Sequence, residues 1–159
     1  MAAADEHMTS AVVTTRVAAG MSGLLGLGFG IPGVIGAEHL NRTGGIWEFM
    51  GFPTYGPGMF ADWGVPTTVP LIRGFVAVCA AEVVVGVLLW RRRTMTIGRM
   101  LALVLLPVEF LFWIGFKLPF GPLFGVLRTA LVIVGWIAAR RERVPGSRPA
   151  VVPGGGRRS

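Results

Sequence analysis

Three ionisable residues interrupt otherwise apolar stretches of this sequence, and they are its best candidates for chemistry. Glu82, Glu109 and Arg128 each lie nine to twelve residues from the nearest arginine at the end of their stretch. At the helical rise per residue this separation corresponds to a depth of about 13–18 Å, near the middle of a hydrocarbon core of roughly 30 Å. We therefore predict that the three side chains meet in one layer inside a helix bundle, with Arg128 between the two glutamates.

Several roles are open for this predicted layer. A charge at the centre of a membrane helix costs at least about 2.5 kcal/mol to insert, so function is a default hypothesis. The layer is either a polar support that sets the helix register, a proton-binding site or a site for a substrate anion. A glutamate beside an arginine would also suit general acid–base catalysis, but no nucleophile or metal-binding cluster accompanies it in the sequence. Catalytic residues therefore remain unassigned, and we predict no cofactor and no metal.

The charges of the layer do not cancel. Two carboxylates face one guanidinium, so either one glutamate carries a proton or Arg73 supplies a second positive charge from above. Arg73 belongs to a second polar group that the helical rise places about 27 Å or more from the arginine clusters, near the outer boundary of a membrane. The group consists of Glu38, His39, Arg73 and Lys117. One histidine beside one carboxylate is typical of a wet interface and is too little for a metal site.

Four apolar stretches must position these residues. They cover residues 17–37, 71–90, 97–116 and 123–139. Their lengths are close to the ~20 residues that cross a bilayer as a helix. We predict an all-α integral membrane protein, a four-helix up-down bundle with a long external loop between the first two helices. The membrane domain would span residues 16–143, after a disordered leader at 1–15 and before a disordered basic tail at 144–159.

Arginines predict the orientation of the bundle. One cluster, Arg91 to Arg93, follows the second stretch, and another, Arg140, Arg141 and Arg143, follows the fourth. Four crossings put both clusters on one side, and basic clusters stay cytoplasmic, so both termini are predicted to be cytoplasmic. The Ala/Gly/Arg/Val bias favours a bacterial inner membrane. Topology and anionic lipid headgroups explain the net charge of +7, so the lipid bilayer is a predicted partner and nucleic acid is not.

The first stretch contains a stripe of glycines at spacings of three and four. Gly23, Gly26, Gly30 and Gly33 are predicted to let another helix approach closely, within the bundle or in a homodimer. The same segment matches G-x-G-x-x-G, but a dinucleotide site needs a strand before this motif. Pro32 predicts a bend near the outer end of the helix.

The external segment at 38–69 is rich in aromatic residues separated by glycine and proline. Such a composition is typical of a segment lying at the level of the lipid headgroups. A lid over the outer end of the bundle is the alternative.

The second stretch resembles a known family. The run from Val78 to Arg93, with Glu82, Gly86 and a leucine-rich end before the arginines, is similar to the second helix of DoxX-like membrane proteins. The segment around His39 is similar to the end of their first helix. The resemblance implies a four-helix membrane protein, and it assigns no catalytic residue. Some members are associated with quinol oxidases or oxidative-stress complexes.

Two classes of function follow from these observations. The first is a non-catalytic subunit or scaffold associated with membrane redox or oxidative-stress proteins, or forming a homodimer. The alternative is a small transporter or membrane enzyme whose Glu/Arg layer binds a proton or a small anionic or lipidic substrate.

Overall fold

Four long helices account for most of the chain. The computed structural model describes residues 2–56 and 58–141, and the predicted tail at 144–159 lies outside them. The long helices are α1 (Ala2–Thr43), α3 (Val69–Trp90), α4 (Met95–Gly115) and α5 (Gly121–Arg141). Each contains a segment long and apolar enough to cross a membrane. The prediction of a helical protein with four such segments, the pattern of a multi-pass membrane protein, is confirmed.

Helix α1 is longer than the predicted span. Residues 2–15 are helical, where the sequence predicted a disordered leader, and Ala11 and Thr15 are buried in the bundle. Contact with the other helices thus stabilises a segment already rich in alanine, the best helix former. The apolar part, Ala11–Thr43, has 33 residues. It is about 50 Å long, and the helix continues through Pro32 rather than ending there.

The helices pack in a ring. In the described part of the chain, α1 and α4 each contact both α3 and α5. Gly26 of α1 lies against Val83 of α3, whereas Gly33 lies against Val76. These two contacts show that α1 and α3 run in opposite directions.

The glycine stripe lies mainly at the contact between α1 and α3. A Cβ atom on Gly26 would come within 2.6 Å of the Cys79 carbonyl oxygen, and one on Gly30 within 3.1 Å of Cys79 Cβ. A Cβ atom on Gly23 would meet no atom within 4 Å, but the Gly23 backbone nitrogen lies 3.3 Å from the position of a Cβ atom on Gly86 of α3. The close approach of α1 to α3 therefore involves all four glycines of the stripe, Gly23, Gly26, Gly30 and Gly33.

The connection between α1 and α3 contains ordered elements. Strands β1 (Glu48–Phe49) and β2 (Phe52–Pro53) pair antiparallel, with Phe49 opposite Phe52. Met50 and Gly51 make the turn with φ of 54° and 79°, as a type I′ hairpin requires. The four-residue helix α2 (Met59–Asp62) follows.

The interior consists of two apolar clusters, and the bundle exterior is also apolar. The outer cluster, near the α1–α3 connection, contains Ala37, Tyr55, Phe60, Ile72, Phe75, Cys79, Trp113 and Phe116. The inner cluster contains Ala18, Ala19, Val85, Leu89, Ala102 and Val132. Large apolar side chains also cover the outside, for example Leu24 at 75% and Val104 at 72% exposure. So much exposed apolar surface indicates that the helices face lipid.

The glycine contact can be tested by adding one methyl group. Gly26→Ala should destabilise the bundle by about 1–3 kcal/mol, because the new Cβ meets the backbone of α3. Gly28→Ala is the matched control, since its Cβ meets nothing within 4 Å. Thermal unfolding in detergent, followed by helical circular dichroism, measures both variants. Equal melting temperatures for the two would contradict the role of Gly26.

Candidate functional site

Glu82, Glu109 and Arg128 form a buried cluster, called the ion cluster below. The Nη1 atom of Arg128 lies 3.2 Å from both carboxylate oxygens of Glu82 and donates a hydrogen bond to Oε2. Its Nη2 atom donates to Glu109 Oε2 at 2.6 Å. Arg128 is 0% exposed and each glutamate is 2% exposed. Three helices thus contribute one ionisable side chain each to a single site in the interior.

The position of the cluster along the helices explains why it forms a layer. On α3, Glu82 lies one turn from Cys79 of the outer cluster and one turn from Val85 of the inner cluster. On α4, Glu109 lies about two turns from Ala102 of the inner cluster and one turn from Trp113 of the outer cluster. The ion cluster therefore separates the two apolar clusters. Low-dielectric surroundings on both sides strengthen the attraction between its charges.

The cluster has one carboxylate more than it has guanidinium groups. Arg73 does not balance it, because Arg73 is exposed and makes no ion pair with either glutamate in the described residues. An uncompensated buried charge is very unfavourable, so a proton on one glutamate is the remaining way to neutralise the site. Within the described part of the chain, Oε1 of Glu82 and Oε1 of Glu109 have no hydrogen-bond partner.

A small cavity adjoins the ion cluster. Its volume is about 10 Å³, and its wall includes Glu82, Glu109, Cys79, Phe29 and Trp113. A cavity needs roughly 10–15 Å³ to hold one water molecule. The cluster is thus closed, with space beside it for at most about one water.

Arg99 of α4 is a second buried arginine. It is only 6% exposed. Its Nη2 atom lies 3.2 Å from Thr15 Oγ1 and 3.5 Å from the Gly135 carbonyl oxygen, and donates to both. The early part of α1, predicted to be disordered, covers this side chain. Counting residues along α4 gives the height of Arg99 in the bundle, but it does not show which other helices cover the side chain.

Tyr55 closes the end of the bundle next to the connection between α1 and α3. Its side chain is 1% exposed. Its hydroxyl donates to the Phe29 carbonyl oxygen at 2.6 Å. Its ring centroid lies 5.6 Å from that of Phe75 and 5.5 Å from that of Phe116. Burial raises the pKa of the Tyr55 phenol.

The backbone of Tyr55 is strained, and its ring packs closely against α1. Its φ is +58°, a left-handed conformation that is unfavourable for a bulky residue. The ring also fits over a flat part of α1, since a Cβ on Gly36 would lie 3.2 Å from it. The aromatic contacts and the hydroxyl bond offset this strain. No pattern in the sequence singled out Tyr55 from the other aromatic residues of the segment.

The four residues predicted at the outer boundary do not converge. Glu38 pairs with Arg42 at 2.6 Å on the surface of α1. Lys117 pairs with Asp62 of α2 at 3.4 Å, with both side chains largely exposed. His39 is half-buried and Arg73 is exposed. Among the described residues no group of three His, Cys, Asp or Glu side chains is placed to hold a metal.

No protein family, curated protein or solved structure compared with this chain matches it. The resemblance to DoxX-like proteins therefore stays a prediction from the sequence.

Charge balance in the ion cluster can be tested by removing its cation. Arg128→Leu should destabilise the bundle by about 3–5 kcal/mol, because two carboxylates are left buried without a partner. The triple variant Arg128→Leu, Glu82→Leu, Glu109→Leu should recover much of this loss, since it buries no charge. Thermal unfolding in detergent provides the comparison. A triple variant less stable than Arg128→Leu would show that the charges stabilise the fold on balance.

Alkaline pH tests the buried tyrosine. The unfolded phenol ionises near pH 10.0, whereas the folded phenol has a higher pKa. The contribution of Tyr55 is thus complete below pH 10.0 and is lost as the pH rises toward the folded pKa. We expect stability to fall by up to about 1.4 kcal/mol per pH unit in this window, and less steeply in Tyr55→Phe.

The measurement is direct because the chain has a single tyrosine. Phenolate absorbance in the folded protein reports Tyr55 alone, and its midpoint should lie above pH 10.0. A midpoint at the ordinary value would mean that the ring is exposed to water.

Proposed function

We propose that this protein is a non-catalytic subunit or scaffold of a bacterial inner membrane, built as a four-helix up-down bundle with both termini cytoplasmic. The observation that carries the proposal is the closed ion cluster. Its three side chains are almost fully buried and pair with one another, as expected for a polar support that fixes the rotation and height of the helices. An open cleft leading to the charges would instead favour catalysis or transport.

The distribution of arginines supports the proposed orientation. Arg91 to Arg93 in the connection between α3 and α4, and Arg140 and Arg141 at the end of α5, are all exposed. Arg16 of α1 lies 5.4 Å from the ring centre of Trp90, next to Arg91. These cations gather at one end of the bundle, and such an end stays cytoplasmic.

The proposed partner is a membrane redox or oxidative-stress protein, with a second copy of the chain as the other candidate. The resemblance of α3 to DoxX-like proteins supports the first. The exposed face of α1 supports either, because Gly20 and Gly28 have open space where a Cβ would lie. Small residues on a lipid-facing surface allow another helix to approach closely.

A second candidate function is favoured by one observation. The unpartnered carboxylate oxygens next to the small cavity could take a proton or part of a lipidic substrate. A small transporter or membrane enzyme would use the ion cluster in this way.

Co-purification tests the subunit proposal. Affinity-tagged protein, extracted from its native membrane in mild detergent, should retain a redox protein detected by haem or flavin absorbance, or a second copy of itself. Gly28→Phe should reduce the recovered partner, because it fills the open face of α1. Val104→Phe on exposed α4 is the control. A monomer that carries neither partner would overturn the proposal.

Cysteine labelling in the same membranes tests the orientation. In a Cys79→Ala background, Met50→Cys in the 82%-exposed hairpin turn should react with an impermeant maleimide from outside. Arg92→Cys should react only after the membrane is permeabilised. The reverse pattern would place both termini outside.

A further inference from the structure

A large apolar groove lies on the outside of the bundle, between α1 and α5. Its volume is about 470 Å³, within the range of small-molecule sites. Met21, Leu24 and Leu25 form one wall, and Phe120, Phe124 and Leu127 form the other. The groove therefore offers a hydrocarbon chain an apolar surface on two sides.

The groove lies directly beside the small cavity at the ion cluster. Leu25 and Phe29 belong to the wall of both spaces. Leu25 is 7% exposed and Phe29 is half-buried. Glu82 and Glu109 are part of the cavity wall. Two apolar side chains are thus shared by the lipid-facing groove and the cavity of the buried carboxyl groups.

We propose that the protein binds an uncharged single-chain amphiphile, a long-chain alcohol in chemical class, with its chain in the groove and its hydroxyl at the ion cluster. Glu82 and Glu109 are each 2% exposed, and each has an Oε1 atom without a hydrogen-bond partner among the described residues. The hydroxyl donates a hydrogen bond to Oε1 of the ionised glutamate and accepts a hydrogen bond from the protonated carboxyl group of the other glutamate. Both Oε1 atoms then gain a hydrogen-bond partner.

Size and charge define the head group. The cavity has room for about one water molecule, which a hydroxyl matches and a phosphate or a sugar does not. An anionic head would face two carboxyl groups across one guanidinium, a repulsive arrangement. This ligand rests on the proposed transmembrane bundle, because the groove faces hydrocarbon only if the helices cross the membrane.

Trp113 provides the readout, since its ring forms part of the cavity wall. The test uses full-length protein in lipid vesicles, with the other four tryptophans changed to phenylalanine. The probe is a twelve-carbon alcohol that carries bromine in the middle of its chain, so that the hydroxyl end stays small, and bromine is used because it quenches indole fluorescence at short range. The matching bromoalkane and bromo fatty acid are the comparison probes.

Saturable quenching by the bromoalcohol is expected, with at least about tenfold weaker quenching by the alkane, which lacks the hydrogen bonds, and by the acid. Leu24→Phe should weaken binding by filling the groove, whereas Val104→Phe on α4 should leave it unchanged. Non-saturable quenching that is equal for all three probes would indicate ordinary lipid contact and overturn the proposal, as would unaltered binding by Leu24→Phe.

Helical circular dichroism and the Met50→Cys labelling accompany each measurement. If the protein is folded and correctly inserted yet fails to bind, the ligand inference alone is wrong. If the labelling shows that the helices do not cross the membrane as proposed, the bundle proposal and the ligand inference fail together.

Discussion

A guanidinium held between two carboxyl groups in an apolar interior is the interaction on which the rest of this bundle depends. Arg128 reaches Glu82 on one helix and Glu109 on another at 3.2 and 2.6 Å. Hydrogen bonds tolerate little error in distance or direction, and an unpaired charge at this depth is very unfavourable. Helices α3, α4 and α5 can therefore rotate or slide little without losing the pairing. The apolar clusters on either side of the layer fill the space that this register leaves.

Helix α1 contributes no charge to the ion cluster. Its role is to cover the cluster. Gly26 allows the backbones of α1 and α3 to meet, and a Cβ there would lie 2.6 Å from the Cys79 carbonyl oxygen. The same close approach brings Leu25 and Phe29 over the cavity beside Glu82. At the outer end, Tyr55 bonds to the Phe29 carbonyl oxygen. Helix α1 thus covers the ion cluster and also binds Tyr55, which closes the outer end of the bundle.

This arrangement reconciles a supporting role with ligand binding. A closed cluster of paired charges suits a subunit whose main property is a rigid shape in the membrane. Oε1 of Glu82 and Oε1 of Glu109 each lack a hydrogen bond among the described residues, whereas buried polar atoms in folded proteins usually have a hydrogen-bond partner. Only Leu25 and Phe29 belong to the walls of both the groove and the polar cavity. A bound amphiphile would therefore alter the α1 surface that is available to a partner.

The sequence by itself determined four apolar helical segments and the depth of each charge along them. Helical rise is a local backbone property, so counting residues was sufficient to place Glu82, Glu109 and Arg128 at similar heights. Tertiary structure decided which way each residue faces and what covers it. Gly26 faces the backbone of α3, and Arg99 is buried under an α1 segment that the composition had marked as disordered. Tyr55 is buried because residues from α1, α3 and the end of α4 surround it. These outcomes depend on packing between segments far apart in the chain, which no local periodicity encodes.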